Sequence, residues 1–316
     1  MIKHLVTSGC SFSDNHDLRW PHFLAKEAGL QLYNYGHGSA GNNWIASSII
    51  YQISKLLHTG VLPEEILVCA MWSGQDRVDS FINTETNNYE KMHQPLNVGM
   101  SNPINFTNME PGHSPRPHDH PEGPGWLVGS MHCSFVNENI SKFKRDLISN
   151  FYNSELLMME SINNWLRLQW FCQSKNIQLL NLTYMNIWHY PNNMIIDITE
   201  PGHPTKRGDA NPEVDFNIPL FFETFSQHIG HLYDLLDLDT WSFSGEDFGG
   251  LFEWCKIHNK TFGLDGVHPE VVSHADYAKH YLLPIVEKLI ARSETKEERI
   301  ERLMAASLKR DPFIYD

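Results

Sequence analysis

The sequence is short of the features that mark several broad protein classes. Its five cysteines, Cys10, Cys69, Cys133, Cys172 and Cys255, are odd in number and irregularly spaced. No Cys-x-x-Cys pair occurs, so neither a disulfide framework nor a zinc site is expected. Positive charge is scarce: 24 Lys and Arg face 38 Asp and Glu, a formal net charge of -14. This excludes a nucleic-acid groove, which needs clustered basic side chains, and argues against an anionic membrane surface as partner. No apolar run approaches the roughly 20 residues of a membrane span. The N-terminus lacks the basic-then-apolar order of a signal peptide, so the expected location is the cytoplasm, a reducing compartment. There is no internal repeat.

What the chain does have is bulk. Its 316 residues are 41% hydrophobic and 20% charged, ordinary for a globular chain with a substantial core. Nine tryptophans and eighteen histidines exceed what packing alone requires. Large core side chains account for most of them, and ligand platforms are the alternative.

The order of patterns is strand, helix, strand, helix, strand. Residues 4–8 read as a short apolar strand ending in Ser8-Gly9-Cys10-Ser11, a tight turn with a hydroxyl at its tip. Trp20, Phe23, Leu24 and Ala28 recur at helical spacing and stop at Gly29, a good C-terminal cap. A strand is expected over 30–35, a glycine-rich turn over 36–43 and an apolar helix over 44–57. The run Ile66 to Trp72 is continuously apolar, as in a strand buried on both faces. A long helix over 139–175, a strand over 177–184 and helices over 220–236 and 273–291 follow. Such alternation implies βαβ units and a parallel sheet.

Two stretches, 83–136 and 186–219, break the pattern and are dense in Pro, Gly, Asn and His. Insertions of this length are usually functional or mobile. The first carries His113, His118, Asp119 and His120, but no regular ligand spacing, so a polar surface loop is expected there and no metal or cofactor. The domain accordingly spans 1–292. Residues 293–316 alternate Glu with Lys and Arg, as in an exposed helical arm, which is a candidate contact for a protein partner or a second copy.

The chemistry-bearing residues lie at the two ends of the chain. Serine becomes a good nucleophile only when a base takes its proton, and the base is best oriented by a carboxylate. Asp265 and His268 share one turn, so both can face a serine across a sheet edge. The Ser11 amide, a glycine amide in the second loop and the Gln75 side-chain amide are available as oxyanion donors. Cys10 is an alternative nucleophile, but neighbouring side chains on an extended turn point opposite ways.

Gly9-Cys10-Ser11, Gly41-Asn42, Ser73-Gly74-Gln75-Asp76 and Asp265-Gly266-Val267-His268-Pro269 stand in this order after successive strands and near the end. Together they resemble the four blocks of the SGNH (GDSL-type) hydrolases. The resemblance implies an α/β fold, a three-layer α/β/α sandwich around a central parallel sheet of flavodoxin-like type. It implies a serine esterase with Ser11 as nucleophile, His268 as base and Asp265 as its orienting partner. Ser11, Gly41 and Gln75 would form the oxyanion hole, with Gly38 as the alternative glycine. Cys10 replaces the family's aspartate, and Gln75 its asparagine. The polar insertions carry Trp126, Trp188 and Tyr190, aromatic faces that suit a sugar ring, so the expected substrate is a small acyl ester, acetyl on a carbohydrate. A lipase or thioesterase is an alternative, as is a non-catalytic binding protein that keeps the fold.

Overall fold

The computed structural model describes residues 2–14, 18–38, 40–75, 77, 79–82, 125–127, 154–188, 226–244, 248–264 and 266–291. Asp265, the His113–His120 stretch, Tyr190, the arm 293–316 and most of both expected insertions lie outside the described residues.

The described elements run, in chain order, β1 (His4–Ser8), α1 (Trp20–Ala28), β2 (Gln31–Asn34), α2 (Asn42–His58) and β3 (Ile66–Trp72). After these come β4 (Ser80–Ile82), β5 (Gly125–Leu127), α3 (Ser154–Lys175), β6 (Gln178–Thr183), α4 (Ser226–Tyr233) and α5 (Leu251–Ile257). The last helical segment comprises α6 (Val271–Tyr277), a π-helical turn (Ala278–Leu282) and α7 (Leu283–Ala291). Four strands form a parallel sheet in the order β2-β1-β3-β6. β4 and β5 pair antiparallel in a separate two-stranded sheet.

The chain is thus α/β, with a parallel sheet carrying helices, as the alternation of patterns implies. β3 is buried at every residue, in keeping with its unbroken apolar sequence. α2 packs against β1, β3 and α3, burying Trp44, Ile45, Ile49, Ile53 and Leu56 at helical spacing. α1 ends where Gly29 adopts φ 67°, a left-handed conformation that costs other residues energy.

Tryptophan fills much of the core. Trp20, Trp44, Trp72 and Trp188 are all fully buried. The last corrects the expectation of an exposed aromatic platform. Trp188 packs its ring 4.8 Å from Trp165, 5.8 Å from Trp241 and 5.3 Å from Tyr233. Burying so large an apolar ring outweighs any gain from displaying it at a polar surface. The side chain of Trp126, in β5, is not described.

In an open parallel sheet, ligands bind beyond the carboxyl ends of the strands where the strand order reverses. Here the reversal is at β1, whose two neighbours are β2 and β3. The turns after β1 and β3 carry Ser11 and Gln75. Among the described residues, no helix is long and apolar enough to cross a membrane.

Candidate active site

Beyond β1 the chain makes one helical turn, Ser11–Ser13. Cys10, Phe12 and Ser13 are buried, whereas Ser11 keeps part of its surface. The turn is fixed mainly through Ser13. Its amide donates to Cys10 O at 2.8 Å, and its hydroxyl accepts from Trp20 Nε1 at 2.9 Å. The same hydroxyl donates to Met71 Sδ at 3.3 Å, and the Ser13 carbonyl accepts from Asn34 Nδ2 at 2.9 Å. The approach is so close that a Cβ on Gly36 would stand 2.0 Å from Ser13 O. Cys10 is sealed in the core, so of the two neighbouring nucleophile candidates it is Ser11 that faces outward.

The second turn lies between α5 and α6. Phe262 and Pro269 form an antiparallel bridge, and Glu270 N–H donates to Thr261 O at 3.1 Å. Inside this loop Gly263 N–H donates to His268 O at 2.8 Å, and Gly266 turns with φ 68°. The geometry brings the two ends of the chain together: His268 Nε2 lies 2.7 Å from Ser11 Oγ. The His268 ring also packs 5.1 Å from Phe12, which meets Tyr184 edge-on at 5.2 Å. The Arg77 guanidinium stands over the Tyr184 ring, 5.1 Å from its centre. Asp265, expected to orient His268, lies outside the described residues.

The expected oxyanion donors are placed as follows. Gln75 is buried, and its Nε2 has no hydrogen-bond acceptor among the described residues. An orphaned buried donor is costly, so it marks a place where an acceptor is to be supplied. Gly41 N–H donates to Asp79 Oδ1 at 3.0 Å, and Gly38 N–H donates to Asp14 Oδ2 at 2.9 Å. Both glycine amides are therefore engaged by carboxylates in this structure.

Asp79 was not singled out from the sequence, and Asn42 was noted there only as part of the Gly41-Asn42 block, yet both hold the site's frame. α2 begins after Gly41, which has no side chain to cap it. Asp79 supplies the cap from outside the helix, its other oxygen accepting from Trp44 N–H at 2.7 Å. A Cβ on Gly41 would stand 2.3 Å from Arg77 O, so glycine is needed for this approach. Asn42 Oδ1 accepts from Ser73 N–H at 2.9 Å, while its Nδ2 donates to Ser73 O at 3.1 Å and Ser161 Oγ at 3.0 Å. That ties α2 to the end of β3 and to α3. The signal in the sequence was a helix opening on Gly-Asn with no acceptor of its own.

Among the described residues, no group of three or more His, Cys, Asp or Glu is placed to hold a metal ion. A scan against models of known protein families finds no match to the chain, and a search of curated proteins finds none.

Proposed function

We propose that the chain is a serine ester hydrolase of the SGNH type, built as a three-layer α/β/α sandwich. The observation that carries this reading is the 2.7 Å contact between Ser11 Oγ and His268 Nε2, beside the strand where the sheet order reverses. In this reading the Ser11 hydroxyl gives its proton to His268 Nε2 as Oγ attacks the ester carbonyl. The tetrahedral oxyanion is met by the Ser11 amide and by Gln75 Nε2, whose lack of an acceptor supports that role. His268 then protonates the departing alcohol, leaving an acyl group on Ser11. A water that loses its proton to His268 releases the acid and restores the serine. Asp265 would orient the imidazole, and Gly41 would join the hole only by exchanging Asp79 for the oxyanion.

The expected substrate is a small acyl ester, with acetyl on a carbohydrate as the specific case, carried now by the polar composition of the two insertions. A longer apolar acyl group, as in a lipid or thioester, is favoured by a different observation. Leu264, Val271 and Val272, all exposed, flank the His268 turn, and exposed Leu18 precedes Arg19, which bonds to that turn. A series of p-nitrophenyl esters from acetate to octanoate separates the two. A small-acyl enzyme shows kcat/KM falling with chain length. A rise toward octanoate assigns the apolar rim to the acyl chain and overturns the acetyl reading.

A further inference from the structure

The two catalytic turns are far apart in sequence, and the contact between Ser11 and His268 needs each held to within a few tenths of an ångström. The first two residues of the α1 region, Arg19 and Trp20, touch both. Trp20 is fully buried, and its indole N–H holds Ser13 Oγ in the nucleophile turn at 2.9 Å. Arg19 Nη1 donates to the carbonyl of Pro269, the residue directly after His268, at 3.3 Å. The same nitrogen lies 3.3 Å from His274 Nε2 on α6. We propose, building on the hydrolase reading above, that Arg19 is the positioning residue for His268, the strap that ties the base-bearing turn to the helix already fastened to the nucleophile turn.

The chemistry of the partners makes the strap one-directional. A guanidinium has donors only, so His274 Nε2 must accept and the proton must sit on Nδ1. His274 is fully buried and its pKa is pushed down to about 3, by burial first and then by the charges of Arg19 and His268. It therefore stays a neutral acceptor through the working range of an imidazole base. The turn itself is prepared to be held this way. Pro269 restricts the backbone of His268 before it, and the His268 carbonyl is already bonded to Gly263 N–H. With Arg19 on the next carbonyl, two consecutive peptide groups beside the base are fixed.

The strap sets a rate, not substrate affinity, and that distinguishes it from a purely structural contact. In the full-length chain, labelling of Ser11 by a fluorophosphonate is measured for wild type, R19K and R19Q, alongside kcat and KM for p-nitrophenyl acetate. The expected result is slower labelling and lower kcat in R19Q, by roughly 10- to 100-fold for a displaced base, with KM within about twofold. R19K, which keeps the charge but has one ammonium for two acceptors, falls between. Wild-type labelling rates in folded R19Q overturn the proposal, as does a loss seen only in thermal stability. Should R19Q not fold, R19K decides by the same comparison. Absence of labelling in wild type sinks the hydrolase reading itself, and the strap with it; labelled wild type with equally reactive variants sinks the strap alone.

Discussion

At the scale of single residues, the site is a balance between groups already satisfied and groups left open. Ser13, Asn42 and Asp79 each have well-placed partners and serve as frame. Gln75 is buried with its Nε2 unsatisfied among the described residues, and that is the residue on which the oxyanion account leans. Replacing it by alanine removes one donor, so kcat should drop by roughly 10²-fold with little change in KM. An unchanged kcat in a folded Gln75→Ala protein removes Gln75 from the hole. Ser11 and His268 stood out through the order of the four motif blocks and the resemblance they carry, each turn being weak evidence alone, and the structure brings the two side chains together. Arg19 and His274 were not. Their role depends on which helix lies beside which turn, and nothing local in the sequence encodes that neighbourhood.

Elements come next. The sequence marks strands by apolar runs and helices by spacing, and β1, β3, α1 and β6 lie close to where those signals put them. The ends of elements were less legible. α2 starts at Asn42 rather than Trp44, since its cap comes from Asp79 and not from a side chain at the helix start. The expected 273–291 helix starts at Val271 and passes through a π-helical turn at Ala278–Leu282. Packing of α1 on α6 buries His274 against Arg19 and carries a pH consequence. The folded state holds the His274 pKa at about 3, below its ordinary value of 6.5. Between these values the unfolded chain binds the additional proton. Stability is therefore full above about pH 6.5 and falls as pH drops toward 3, by up to about 1.4 kcal/mol per unit from this one group. Urea midpoints at pH 7 and pH 4.5 check this: the wild type should lose more stability between them than His274→Gln. Equal losses would assign the acid sensitivity to other groups.

Across the whole molecule, the parallel order β2-β1-β3-β6 makes a serine near one end and a histidine near the other into neighbours. The order of the sequence blocks anticipated that meeting. The burial of Trp188 was not anticipated, because composition around a residue does not report whether a core will close over it. The central claim is that the Ser11–His268 pair is reactive, and covalent labelling tests it most directly. The full chain is treated with a fluorophosphonate and the modified peptide is identified by mass, for wild type, Ser11→Ala and His268→Ala. The account predicts one adduct, on Ser11, absent in Ser11→Ala and formed at least tenfold more slowly in His268→Ala, since the residual nucleophile has lost its base. A folded wild-type protein that takes no adduct at Ser11, or takes one at a rate His268→Ala leaves unchanged, contradicts it and leaves the non-catalytic binding protein as the better reading.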